Sequence, residues 1–380
     1  MTDKTIHSPA IKGGNNLKMG SGCRIVADEV ILGDNVVIGN NVELICDRLE
    51  LGDNCKIGNN TKLLAPEITI ADNCSVGKNV AAELNEYLRM GRYSFVGDDV
   101  VMAGQGVSCG EFLYLKNDVI IGGGGSAGPN AYLKMGDRVS VFDKVYINLS
   151  EEVEIGSDTA ISYNAVILTH STWQPALMGF YTRFAPVKIG SQSVVYLNSV
   201  ILPGVTIGDY VTIGAQSLVN KDIPSYSLAS GNPVKIIVGE GYYPRELGDS
   251  GIDSLVHSIL DEYKESLGVK GVQLLNAGEG QLKIAYAGKE YTIAYYGHGH
   301  TGESTGVPDI TMSFAEIADD KKGAIHFDLK ELKITGEPGP IGEDLRDFMR
   351  RRAIRIFTGK PFKTLPLTNL KRIREKRNKI

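Results

Sequence analysis

Between Ile189 and Val219 the chain keeps an unbroken six-residue beat. Ile189, Val195, Ile201, Ile207, Ile213 and Val219 are all aliphatic, each six places after the last. Small residues recur four places into each unit, at Ser193, Ser199, Val205, Val211 and Ser217. A strict short period is the mark of a solenoid, because each unit is one turn of structure that buries its apolar side only by stacking on its neighbours. Three hexads make one triangular coil of about eighteen residues. The aliphatic side chain then fills the prism, and the small one lets the chain turn the corner.

The same beat runs back through most of the chain. Leu32, Ile38, Leu51, Ile57, Ile70 and Val76 head early hexads, and Met90, Val96 and Met102 follow. It returns at Met135, Val141 and Ile147, then at Ile155, Ile161 and Ile167. Many aliphatic heads are followed by Gly and then Asp or Asn, as in LGDNVV and IGNNTK. Gly and Asn tolerate the positive φ of tight corners. These residues specify a fold and carry no chemistry themselves.

Residues 1–16 read as a polar lead-in and 17–238 as the solenoid. Three stretches interrupt it. Residues 81–89 break the beat briefly. Residues 109–134 contain four glycines in a row, Gly122 to Gly125, without the spacing of a phosphate-binding loop, so they read as a flexible corner or bulge. Residues 172–187 hold the only Trp, Trp173, with Phe180, Tyr181, Arg183 and Phe184. That stretch is too aromatic for a linker, and loops placed by rigid scaffolds are where function concentrates. Residues 239–250 read as a linker and 251–380 as a small α+β domain. Helical patterns lie at 253–267 and 345–357, and strand patterns at 272–275, 282–286, 291–296, 310–314 and 324–334. The fold class expected is mainly β: a parallel β-helix solenoid followed by this α+β domain.

The formal charge of −5 gives no global case for nucleic acid. It is uneven, with thirteen Lys and Arg against four Asp and Glu from Ile341 to Ile380. That basic tail, with Arg350, Arg351, Arg352, Arg355 and the run from Lys371 to Lys379, suits peripheral contact with an anionic surface, an acidic glycan or an acidic partner. No apolar run is long enough to span a membrane and no signal core opens the chain, so a cytoplasmic location is expected. Cys23, Cys46, Cys55, Cys74 and Cys109 read as buried reduced thiols. His298 and His300 read as a polar turn, and no metal site is expected.

The stretch from Pro186 to Ile237, with ILPGVTIG, NKDIP and SGNPVK, resembles the C-terminal coils of the hexapeptide-repeat acyltransferases. The resemblance covers 17–238 in period and 155–238 in motif. It implies a left-handed β-helix, a homotrimer, acetyl-CoA as co-substrate, and an active site between neighbouring subunits. Within that frame the expected reaction is O-acetylation of a sugar or surface polysaccharide precursor. N-acetylation of an amino sugar is the enzymatic alternative, and a non-catalytic β-helix scaffold is the other. A zinc hydratase of this architecture needs three histidines on the coils, and a nucleotidyltransferase needs an N-terminal nucleotide-binding domain. The chain has neither.

Acyl transfer to a hydroxyl needs a base, an oxyanion donor and aligned substrates. His170, in ILTHSTW, is the one histidine of the coils and stands where similar enzymes written ILTHD place the catalytic base. The other reading is a histidine packed at a coil corner. Members with a T-x-x-H spacing place the base where Thr172 stands. The group that orients the imidazole is left open. The resemblance maps the oxyanion donor to the backbone N–H of Leu197. It lines the coenzyme path with Tyr196, Ala215 and Gln216, and brings Lys221 and Lys235 near the phosphates. Tyr196 and Gln216 depart from the family's usual residues. For the acceptor, Asn164 and Trp173 are candidates, an amide and an aromatic face suited to a sugar ring. Asn164 reads equally as a corner residue.

Overall fold

The computed structural model describes residues 5–172, 174–278, 280–298, 307–317, 319, 322–360 and 362–367. Two compact units divide the chain, Met1–Arg245 and Glu246–Ile380.

The first unit is a parallel β-solenoid of three faces. Each face is a ladder of short strands stacked one coil on the next. One face runs through Lys62–Leu64, Tyr146–Asn148, Val166–Ile167 and Val200–Ile201. A second runs through Glu67–Ile70, Val153–Ile155 and Val187–Ile189. The third runs through Ser75–Val76, Ala160–Ile161 and Val194–Val195. In the late coils the partners are eighteen apart, as Val194 with Thr212. In the early coils they are nineteen apart, as Glu43 with Lys62, because the corner between the first two faces holds one more residue. All six aliphatic heads from Ile189 to Val219 are buried.

The corners explain the Gly-Asp/Asn-Asn triplets. Asn35, Asn54 and Asn73 all have φ of 58–59°, and the Asn35 and Asn54 amides donate to Asn54 and Asn73 Oδ1 at 3.2 Å. Asp34 and Asp53 donate their N–H to Asp53 and Asp72 Oδ1. A Cβ on Gly33 would stand 2.5 Å from the Asp53 nitrogen, so close stacking requires glycine there. The small slot has a further use. Ser193 and Ser199 Oγ donate to Gly208 and Gly214 carbonyls of the next coil, at 2.9 and 3.0 Å. Cys55 and Cys74 sit in the same slot and reach Ala71 and Gly91 carbonyls.

Several expectations change. The first coil begins earlier than the period suggests: Thr5–His7 and Ala10–Gly13, read as lead-in, pair in register with Arg24–Val26 and Glu29–Leu32. Residues 81–89 are not a break. Ala81–Met90 is one strand that crosses a corner through a bulge between Leu84 and Tyr87, paired on both faces with Val101–Cys109. At the far end Lys235–Val238 folds back antiparallel on Leu228–Ser230 and covers that edge.

The second unit pairs Gln273–Gly278, Gln281–Tyr286 and Lys289–Tyr296 antiparallel, then adds Ile310–Ser313 and Ile325–Asp328 in parallel and Lys333–Thr335 at the edge. Two helices, α1 (Asp249–Val269) and α2 (Gly339–Arg350), share its core. α2 starts and ends earlier than the 345–357 pattern implies. The arginines at and just after its end are engaged within the unit: Arg350 and Arg351 pair with Asp347, and Arg352 with Glu262. The run from Lys371 to Lys379 lies outside the described residues. No described helix is long and apolar enough to cross a membrane.

Candidate functional site

Three successive coils meet at one corner, and each sends polar groups to the same point. The first gives the glycine run, the second Asn148 and Ser150, the third Thr169 and His170. Gly122, Gly123 and Gly125 have φ of 121, 85 and 86°. A Cβ on Gly123 would stand 2.2 Å from Tyr146 Oη, and one on Gly125 2.2 Å from Ser150 Oγ. The run is therefore a tightly held corner rather than a slack one. Its conformation turns the Gly122 and Gly124 carbonyls onto the next coil.

Asn148 is fully buried, and Nδ2 donates to Gly122 O at 3.2 Å and Gly124 O at 2.9 Å. Carbonyls only accept, so this amide has one orientation. Its Oδ1 then faces Thr169 Oγ1 at 2.9 Å and His170 Nδ1 at 2.8 Å. Ser150 Oγ donates to Gly124 O at 2.6 Å and also lies 2.8 Å from His170 Nδ1. Both neighbours of Nδ1 are thus acceptors, and Nδ1 carries the proton. In the neutral ring Nε2 is left with its lone pair. Phe184 stacks on the imidazole, with centroids 5.6 Å apart and planes 17° apart. Antiparallel pairing of His170 with Phe184 and Ser171 with Arg183 closes the neck of the aromatic loop.

Asn148, Ser150 and Thr169 were not singled out from sequence. The available signal was polar residues flanking the buried Leu149, one coil after a glycine run.

Leu197 lies elsewhere in the chain. Val166 pairs with Val200, so Gly204 stands opposite His170 in the next coil, seven residues beyond Leu197. At about 3.3 Å per residue that is on the order of 20 Å, the length of one face. The two groups therefore occupy opposite corners of the same face. No described acceptor takes the Leu197 N–H. The corner amides of Ser191 and Asp34 are capped by Asp209 and Asp53 of the next coil, whereas Ala215, stacked beyond Leu197, has no side-chain oxygen to offer. Tyr196 is 45% exposed and Ala215 is exposed. Gln216 is a corner residue with φ 58°, its N–H donating to Leu197 O. Lys221 and Lys235 are exposed. Asn164 has φ 56° and donates to Asn198 Oδ1 at 2.9 Å, as the other corner asparagines do. Trp173 lies outside the described residues. Among the described residues no group of His, Cys, Asp and Glu is arranged to hold a metal.

Residues 186–221 match the family model described as bacterial transferase hexapeptide (six repeats). The chain is 40% identical over 91 residues to "Putative acetyltransferase YvoF" of Bacillus subtilis, covering 24% of this chain and 50% of that protein. It is 33% identical over 105 residues to "Putative colanic acid biosynthesis acetyltransferase WcaF" of Escherichia coli, covering 28% and 57%. The chain thus spans about half the length of these relatives. Among solved structures, the hexapeptide-repeat acetyltransferase VCA0836 of Vibrio cholerae, complexed with acetyl coenzyme A, aligns at 21% identity and a TM-score of 0.25, over 38% of this chain and 69% of that one.

Proposed function

Since the coils carry the bacterial transferase hexapeptide, we propose that the chain is an acetyl-CoA-dependent O-acetyltransferase acting on a sugar or surface polysaccharide precursor. The observation that carries this reading is the fixed polarity of His170: Nδ1–H is committed to Asn148 and Ser150, leaving Nε2 as a base. The names of the two relatives support acetyl transfer, and that of WcaF an acceptor of the glycan class.

In this mechanism Nε2 takes the proton of an acceptor hydroxyl as the oxygen attacks the thioester carbonyl. A backbone N–H receives the oxyanion. Collapse breaks the C–S bond, and the imidazolium returns its proton to the departing CoA sulfur. The donor is the Leu197 amide of a neighbouring copy, because within one chain it lies a full face away. An apolar edge supports that assembly as a homotrimer. Phe95, Tyr114, Val101 and Ile120 flank the corner that leads to Tyr163 and Leu197, and all six are 37–44% exposed. Tyr196, Ala215 and Gln216 then line the pantetheine, and Lys221 and Lys235 meet the phosphates.

The test is CoA release from acetyl-CoA across a panel of saccharides. Wild type should turn over with at least one acceptor. His170→Ala should lose about 10²–10⁴ in kcat and keep coenzyme binding. Lys221→Ala and Lys235→Ala should raise KM for acetyl-CoA at constant kcat. Normal turnover by His170→Ala would place the base elsewhere. Normal assembly without transfer to any saccharide would favour a scaffold.

A further inference from the structure

Beside the His170 corner, on the second face, lies a pocket of about 510 Å³ that the reaction described above does not use. Tyr87 and Tyr132 form one side. Their rings are 6.1 Å apart and 26° from parallel. Between them in the ladder stands Gly106, opposite both tyrosines in register. Its φ is not positive, so no turn demands glycine. A Cβ there would stand 2.6–2.8 Å from the Tyr87 ring carbons. Glycine at this position lets the Tyr87 ring lie flat across the strand, making a continuous aromatic shelf with Tyr132. The shelf is pinned: Tyr132 Oη donates to Glu86 at 2.7 Å, and Arg89 sits 4.2 Å over the Tyr87 centroid.

The lining also carries Asn130 and Glu151, joined at 2.9 Å, with Glu152 and Lys134 paired and the Lys134 ammonium 5.8 Å from the Tyr132 ring centroid. Glu151 and the imidazole share one network. Glu151 N–H and Ser150 N–H both donate to Thr169 Oγ1, at 3.1 and 2.9 Å, and Thr169 precedes His170. Pro186, which also lines the pocket, follows the residue whose N–H bonds to Thr169 O.

An aromatic shelf bordered by amide and carboxylate groups suits a saccharide ring, whose C–H face packs on aromatic carbon while its hydroxyls donate to carboxylates. Three carboxylates against Lys134 leave the lining acidic, and the Arg89 charge over the shelf is matched by its ion pair with Glu67. We propose that this pocket is the subsite that holds a sugar unit of the acceptor, taking neutral or amino sugars and rejecting uronates. The proposal rests on the acetyl-transfer reading for its role, but binding can be measured without turnover.

Saturation-transfer NMR on the full chain would use methyl glucoside, glucosamine and glucuronate as probes. Wild type should bind the first two and not the third. Tyr87→Ala and Tyr132→Ala should each weaken binding about three- to tenfold, while Tyr132→Phe, which keeps the ring, should stay within about threefold. Glu86→Gln, which can still accept from Tyr132, should admit glucuronate. Coenzyme binding should be unchanged in all four variants, which also reports that each has folded. No binding by wild type, or binding as tight as wild type by both alanine variants, would overturn the subsite. Binding that follows this pattern without acetyl transfer would leave the subsite standing and sink the catalytic reading alone. With turnover present, KM for the acceptor should rise in the alanine variants while KM for acetyl-CoA holds.

Discussion

Asn148 Oδ1 accepts a hydrogen bond from His170 Nδ1 at 2.8 Å, and the polarity of that bond is set on the far side of the amide, by Gly122 O and Gly124 O. Backbone geometry one coil away thus decides which imidazole nitrogen is basic.

Removing this amide should act on the imidazole without touching either substrate. In Asn148→Ala the ring loses an acceptor, and the two glycine carbonyls lose their donor. We expect kcat to fall about 10–100-fold, less than the loss of the base itself, with KM for acetyl-CoA unchanged. Asn148→Asp is the diagnostic partner. A carboxylate at Nδ1 stabilises the imidazolium, so the acid limb of kcat/KM should move to higher pH. A purely structural role for Asn148 would lower activity without moving that limb.

The glycine run gives a graded test. Gly125 has φ 86°, and a Cβ would meet Ser150 Oγ at 2.2 Å. At Gly124 φ is not positive, and a Cβ would rest 3.4 Å from His170 Cε1, an ordinary contact. Gly125→Ala should cost about 1–3 kcal/mol from the backbone alone, with a lower melting temperature and lower kcat. Gly124→Ala should melt close to wild type. Equal melting of the two variants would contradict a held corner.

The coils were legible because their period is imposed by the interior of the prism. Ile189, Ile207 and their kin have no other place to go. His170 was legible as a histidine beside a loop, though not as the one histidine of the coils, since His7 also lies on a coil strand. The residues that orient it were not, since Asn148 and Ser150 are 22 and 20 positions away and meet it only through coil stacking. A local pattern does not carry register. Gly122–Gly125 was misread for a related reason: a glycine run looks slack until the atoms that forbid a Cβ are known. At 81–89 the chain continues as a strand past a bulge, which shifts the beat without ending the structure.

The thiols offer a direct check on the packing of the early coils. Burial, aided by Asp47, pushes Cys46 up to about 12, and burial pushes Cys74 up to about 12 and Cys55 and Cys109 up to about 11. A raised thiol pKa keeps the neutral form, so at pH 8 the thiolate fraction is about one part in 10³–10⁴. These four should react slowly with a disulfide reagent in the native protein and promptly in denaturant. Rapid native reaction of Cys55 or Cys74 would mean that their coils open.

In the second unit Lys270 Nζ contacts both Asp344 oxygens at 2.8 Å, with side chains 3 and 0% exposed. Asp344 also accepts from Thr364 Oγ1 and Leu365 N, so it fastens the segment after α2. Lys270→Met would leave a buried carboxylate without its cation, a loss of about 3–5 kcal/mol. Hydrogen exchange within 246–380 should accelerate accordingly. Unchanged protection of α2 would show that solvent reaches the pair.

The separation of His170 from Leu197 leads to a test of the shared site that needs no structure of the assembly. Each proposed centre takes its base from one copy and its oxyanion donor from the next. His170→Ala removes the first, and Leu197→Pro removes the N–H that no described acceptor uses, so the fold loses no hydrogen bond. Each variant alone should be inactive or nearly so. Refolded or co-expressed together, they form centres in which an intact His170 from the proline variant faces an intact Leu197 amide from the alanine variant. Activity should therefore reappear on mixing, in proportion to the number of such neighbours. Light scattering on the same samples should report three copies. If mixing restores nothing although mixed assemblies form, the two groups do not serve one centre across the interface, and the oxyanion donor must be sought nearer the His170 corner of the same chain.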